Sequence, residues 1–130
     1  MVLQVSVITP DKVFWNNEAE ELILPANTGQ MGVLLNHASL ITALDVGVML
    51  IRKDKEWTPF ALMGGFALVK QNKITVLVNE AEGSKTIDPI EAEDSFLLAQ
   101  QQLKEAQDQK QKVEANFAFK RARARKQVIQ

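Results

Sequence analysis

The sequence predicts an α+β chain in two parts, a β-sandwich over residues 1–86 and a helical domain over residues 87–130. Three observations carry this reading. Upstream of residue 86, apolar residues alternate or cluster in short runs broken by Gly, Pro and Asn. After Pro89 there is no further Gly or Pro. Between the two, the hexad Thr86-Ile87-Asp88-Pro89-Ile90-Glu91 has the form of a helix start. Asp88 suits the N-cap because its carboxylate can accept from a free backbone N–H, and Pro89 in the first turn gives up only an amide that lacks a partner. Glu91 is placed to reach back in a capping box. The same signals also fit a helix that starts inside one ordinary α+β domain.

The β elements follow in order. Leu3, Val5 and Val7 share one face of a strand over residues 2–8 that Thr9-Pro10-Asp11 ends. Val13-Phe14-Trp15 forms a second strand before Asn16-Asn17, and residues 19–24 a third, ended by Pro25. A long loop over residues 26–32 follows, where Gly29 and Gly32 can supply positive φ. Apolar character resumes at Val33-Leu34-Leu35, and the chain turns at Asn36-His37. Residues 40–44 and 46–52 give two more strands and lead into the charged turn Lys53-Asp54-Lys55-Glu56. Residues 57–63, 66–70 and 74–79 complete the set, with Gly64-Gly65 as a bulge or bend and Gln71-Asn72 as a hairpin connection. About eight to ten short strands at this spacing favour a sandwich over an open sheet. Its Val, Ile, Leu, Phe and Met interior needs nothing from the tail.

The tail keeps a helical rhythm. Ala92, Phe96, Ala99, Leu103 and Ala106 recur in steps of three and four, and Val113 and Phe117 continue the register. Asp108 followed by Gln111 repeats the capping pattern, so a second helix can start there and fold back as an αα-hairpin. Residues 107–111 are also good helix formers, and one rod of about 40 residues, roughly 60 Å long, fits the sequence equally well.

Composition narrows the function. A chain of 130 residues holds one modest core or a small core with an appendage. The net charge of -1 gives no whole-chain attraction to nucleic acid or anionic lipid. The absence of Cys excludes disulfides, thiolate metal sites and a Cys nucleophile. No run approaches the roughly 18 apolar residues of a membrane span, and residues 1–6 lack the pattern of a cleaved export signal. His37 is the only histidine, with Ser39 too near in sequence to be an obvious nucleophile. Gly29-Gln30-Met31-Gly32 lacks the Lys and Ser or Thr of a P-loop. Glu18, Glu20 and Glu21 suit a solvated strand edge better than a metal site. No catalytic residue, cofactor or metal is expected. Lys120, Arg121, Arg123, Arg125 and Lys126 put five cations in seven residues. They fit either the C-terminal end of a helix dipole or docking onto an acidic surface, and less well nucleic acid, since no aromatic is interleaved.

The segment Leu24-Pro25-Ala26-Asn27-Thr28-Gly29-Gln30-Met31-Gly32-Val33-Leu34-Leu35-Asn36-His37-Ala38-Ser39-Leu40 carries a family pattern. With Val7-Ile8-Thr9-Pro10-Asp11 before it and Gly64-Gly65-Phe66-Ala67 after it, it closely resembles the epsilon-subunit family of F-type ATP synthases, nearest the chloroplast and cyanobacterial branch. The resemblance spans the whole chain. It implies a ten-stranded β-sandwich followed by a two-helix hairpin, in a central-stalk rotor subunit that couples without catalysing. It implies a gamma subunit and a membrane c-ring as partners, a peripheral place at the thylakoid membrane, and Gly29, Gly32 and His37 in the ring-facing loop region. The helices of the family lie folded or extend into the catalytic head and hinder ATP hydrolysis. Arg121, Arg123 and Arg125 are then expected to meet acidic segments of the alpha and beta subunits. One departure stands out: in the ATP-binding motif of some bacterial members, Ile87, Asp88 and Ala92 are kept but Glu91 stands where an Arg is required. Weak or absent ATP binding is expected, because a carboxylate repels phosphate.

Overall fold

The structure, a computed structural model, describes residues 2–130. Strands β1 (Leu3–Thr9) and β2 (Lys12–Ala19) form an antiparallel hairpin, and β1 also runs parallel to β7 (Lys73–Val78). The sheet continues through β6 (Glu56–Lys70), β5 (Leu40–Lys53) and β3 (Glu21–Ala26) to β4 (Gly29–Val33) at the far edge. The short β8 (Ala81–Gly83) pairs with the first half of β6. Folded over, this sheet closes on one apolar core drawn entirely from residues 3–78, with Leu3, Val5, Leu22, Leu24, Met49 and Leu62 among its fully buried members. Phe14 and Trp15 close its side against Phe60, with ring centroids 5.6 and 5.8 Å apart.

The strands are eight where the family resemblance implies ten, and the difference lies in β5 and β6. Each joins two runs that read as separate strands. Leu44 pairs with Gly65 and Val46 with Met63, leaving Asp45 and Gly64 as a corner between two straight halves. Counting each half separately restores ten. At the corner the inward side changes parity. In β6, Phe60 and Leu62 point into the core before the corner, and Ala67 and Val69 after it. In β5, Leu44 is inward before the corner, and Met49 and Ile51 after it. An uninterrupted pleat would keep one parity throughout. The shift is allowed by Gly64 (φ 83) and Gly65 (φ 155), and at Gly65 a Cβ would lie 2.8 Å from Val78 Cα and on top of the Leu77 carbonyl oxygen.

The segment read as a long loop over residues 26–32 is instead a tight hairpin. Ala26 pairs with Gly29, so only Asn27 and Thr28 turn, and Gly29 (φ 124) takes the conformation its neighbours resist. Nor does Pro25 end β3; it sits opposite Gln30 where the β3–β5 ladder is interrupted between Ile23 and Ala26, so its missing N–H costs no ladder bond. Gly47 makes room for it, since a Cβ there would come 2.8 Å from Pro25 Cβ.

A 3₁₀ turn at Ser84–Thr86 leads to α1 (Pro89–Glu105), capped by Asp88, whose carboxylate accepts from the N–H groups of Ile90 and Glu91. Ala106 is extended (ψ 129) and Asp108 caps α2 (Gln109–Val128), accepting from Gln111 N–H at 2.8 Å. The tail is therefore a folded pair and not a rod. This corrects the register expected for α2. Val113 and Phe117 do not continue the buried stripe of Ala92 and Ala99 but are exposed, because the break at residues 106–108 rotates α2 so that Ala115, Ala122 and Val128 face inward.

Candidate functional site

The hairpin rests on the outer face of the first half of β6 and the second half of β5. Val46 and Val48 of β5, side by side with Met63 and Ala61 of β6, form an apolar floor. Onto it Ala92, Ala124 and Val128 are buried, with Ile129 half-buried and Ile87 closing the edge. Small residues let the helix backbone come close, but they bring little area. Two methyl groups and one valine contribute roughly 3–5 kcal/mol of apolar transfer.

The long apolar side chains of the hairpin point elsewhere. Ile90 is 75% exposed, Leu98 58%, Val113 60% and Phe117 49%. A helix pair evolved only to sit on this sheet would turn such residues inward.

Ion pairs surround the floor. Lys120 Nζ lies 3.1 Å from Asp45, and Arg121 Nη2 lies 3.1 Å from Glu80 and 3.6 Å from Glu82. Arg125, nine-tenths buried, donates through Nε to Glu82 at 2.8 Å and through Nη1 to Glu91 Oε1 at 3.1 Å, so its two branches tie β8 and α1 to α2. Lys126 meets Glu93 at 3.0 Å and lies 4.3 Å over the Phe96 ring. Four of the five clustered cations are thus paired. Arg123 is exposed and stacks 5.5 Å from the Phe119 ring. The pairs of Lys120 and Lys126 are partly solvated and each adds at most about 1 kcal/mol.

Glu91 does not close a capping box. Its carboxylate turns to Ser95 Oγ, which donates at 2.9 Å, and to Arg125. The Glu that stands in place of Arg at this position therefore has a physical partner in the chain, and the degenerate motif of Ile87, Asp88 and Ala92 presents a buried apolar residue, a helix cap and a floor contact.

The charges respond to this packing. Partial burial would raise the pKa of Asp45, but the hydrogen bonds from Lys120 and from Val46 N–H outweigh it and hold the carboxyl below its ordinary range. The Ser95 hydroxyl, then Arg125, hold Glu91 low. Burial opposes the charge of Arg125, and Glu82 and Glu91 overcome it, so its pKa is raised. Carboxylates with depressed folded pKa values stabilise docking above their unfolded pKa, and that stability is lost as pH falls through the folded value. Docking is expected to be flat from pH 6 to 9 and to weaken below about pH 4; protection of α2 amides relative to their intrinsic exchange rate at each pH reads this out, and protection that holds or rises on acidification would contradict it.

The other expected site residues lie away from the hairpin seam and from one another. Gly29 opens β4, Gly32 lies within β4 opposite Ile23, and His37 sits in the following turn, where its N–H donates to the Leu34 carbonyl at 3.3 Å and Nδ1 lies 2.8 Å from Ala38 O. Asn36 N–H donates to Asn72 Oδ1 at 2.6 Å, joining this turn to the β6–β7 connection. Glu20 and Glu21 both pair with Arg52. Among the described residues no three His, Asp or Glu groups converge as a metal site. A groove beside the α1–α2 turn, among Gln102, Glu105, Gln111 and Glu114, holds no nucleophile beside a base. A second exposed surface was not legible beforehand. Beyond the corner, Ile41 and Leu68 in one row and Phe66, Leu77, half-buried Ile8 and Val13 in the next leave an apolar outer face across β5, β6, β7, β1 and β2.

Fold and site together define a docking module, a self-contained β-sandwich with a hairpin held at its side by charge. Residues 2–84 match the family ATP synthase, Delta/Epsilon chain, beta-sandwich domain, and residues 85–130 match ATP synthase, Delta/Epsilon chain, long alpha-helix domain. The chain belongs to the ATP synthase delta/epsilon chain family. It is 67% identical over 129 residues to the chloroplastic ATP synthase epsilon chain of Tupiella akineta, covering 99% of both chains. It is 69% identical over 129 residues to that of Oltmannsiellopsis viridis, covering 99% of this chain and 98% of the relative. The fold also matches a chain in the cryo-EM structure of Euglena gracilis mitochondrial ATP synthase, OSCP/F1/c-ring, with TM-score 0.85 and 17% identity, over 99% of this chain and 82% of that one.

Proposed function

We propose that this chain is the epsilon subunit of a proton-translocating F-type ATP synthase, a non-catalytic central-stalk component at the thylakoid membrane. Its sandwich couples the gamma subunit to the c-ring, and its hairpin is a brake on ATP hydrolysis. The functional boundary falls between residues 86 and 87. The relatives named chloroplastic epsilon chains support the assignment, and the observation that carries the brake is the orientation of the hairpin. Its bulky apolar residues face solvent while its cations hold the sandwich, so a second set of contacts is available to it elsewhere.

Gamma takes the outer apolar face around Phe66, because an exposed patch crossing five strands of a well-filled sandwich suits a partner surface. The ring lies at the end carrying Gly29, Gly32 and His37. Phe66→Asp is expected to weaken binding to isolated gamma at least tenfold without unfolding the chain; unchanged binding assigns gamma to another face. In the assembled complex, Arg121, Arg123 and Arg125 meet acidic segments of alpha and beta when the hairpin extends. Such pairing sets orientation and state more than raw affinity. Replacing all three with alanine is expected to raise ATP hydrolysis by the complex severalfold, and an unaltered rate would remove the brake.

A further inference from the structure

We propose that Glu82 and Glu91 form a latch that competes with any acidic partner for Arg125 and Arg121: Glu82, on β8, ties α2 to the sandwich and Glu91, on α1, ties α2 to the other helix of the hairpin, so that the two carboxylates set how readily α2 is given up. The inference deepens the brake reading by naming what restrains it. Arg125 has both guanidinium branches occupied in the docked state, by Glu82 and Glu91, and Arg121 is shared between Glu80 and Glu82. Nε and Nη1 of this guanidinium are taken by the two carboxylates, and a side chain nine-tenths buried between them offers little open surface to a third. An arginine that acts on a partner must first be given up here.

The apolar floor does not decide the matter alone. The hairpin places only Ala92, Ala124, Val128 and part of Ile129 on it, whereas Lys120, Arg121 and Arg125 reach Asp45, Glu80 and Glu82 of the sandwich around its edge. Release is therefore an exchange of one set of carboxylates for another, and it is screened by salt. At 1 M ionic strength the Debye length is about 3 Å, against about 10 Å at 0.1 M. Neutralising the latch has the opposite consequence to neutralising the arginines. It frees the same cations for a partner instead of removing them.

The test uses the full chain, whose lack of native Cys allows two introduced labels. With dyes at Gln127→Cys and Glu56→Cys, both exposed positions, energy transfer reports docking as salt is raised from 0.05 to 1 M at pH 8. Glu82→Gln and Glu91→Gln should each raise the undocked fraction on the order of tenfold at a given salt. Lys110→Gln, at an exposed position of α2 away from the latch, should leave the curve in place. Curves for Glu82→Gln and Glu91→Gln that superimpose on the parent, or an undocked fraction insensitive to salt, would overturn the latch. The same two substitutions in the assembled complex should lower ATP hydrolysis at least twofold. If docking shifts and hydrolysis does not, the latch stands and the brake reading fails.

Discussion

Gly65→Ala is expected to lower the unfolding free energy by about 3–5 kcal/mol, the largest effect of any single methyl in the chain. Two costs combine. The residue sits at φ 155, a region open in practice to glycine, and the added Cβ would collide with the Leu77 carbonyl and come 2.8 Å from Val78 Cα. Those are backbone atoms of a paired strand and cannot swing aside as a side chain would. Gly32→Ala provides the comparison, since nothing lies within 4 Å of its Cβ position, and a change within about 0.5 kcal/mol is expected there. Urea denaturation followed by circular dichroism measures both. Equal stability of the two variants would mean the corner is not the fixed point described above.

Ala124→Asp is expected to detach the hairpin while the sandwich stays folded. Ala124 is 1% exposed over the floor, and a carboxylate on so short a side chain cannot reach solvent. Burying it unpaired costs about 3 kcal/mol or more, comparable with the whole apolar contribution of the hairpin. Because the core of the sandwich comes only from residues 3–78, its unfolding should change little. Near-ultraviolet circular dichroism from Trp15 and Trp57 should persist while amide protection in α2 disappears. Loss of the tryptophan signal together with α2 protection would show that the two cores are one.

Much of this architecture is legible in the residues, for definite reasons. Asp88-Pro89 and Asp108 mark helix starts because capping is a local hydrogen bond, and both caps form as the spacing requires. The alternation of Leu3, Val5 and Val7 places them in the core for the same local reason. The hairpin at residues 21–33 escapes a sequence reading because two glycines and a proline mimic a loop, and only the interrupted β3–β5 ladder explains why a strand tolerates them. Joining two runs into β5 and two into β6 depends on long-range pairing across the corner. The run from Lys120 to Lys126 is conspicuous, but its partners lie on β5, β8 and α1, between 33 and 75 residues away, and no local pattern announces them. Nor does spacing reveal that Val113 and Phe117 face outward, since the turn at residues 106–108 resets the helical phase.

The two longest strands are a shared wall between two compartments. Met49, Ile51, Phe60 and Leu62 fill one side, and Val46, Val48, Ala61 and Met63 pave the other. With a period of two, sliding either strand by one residue would swap the occupants of both rooms at once. Partial travel is thus blocked. Whatever moves in this molecule must lift off ground that holds still, which makes the appendage a lever with no intermediate stop in the head.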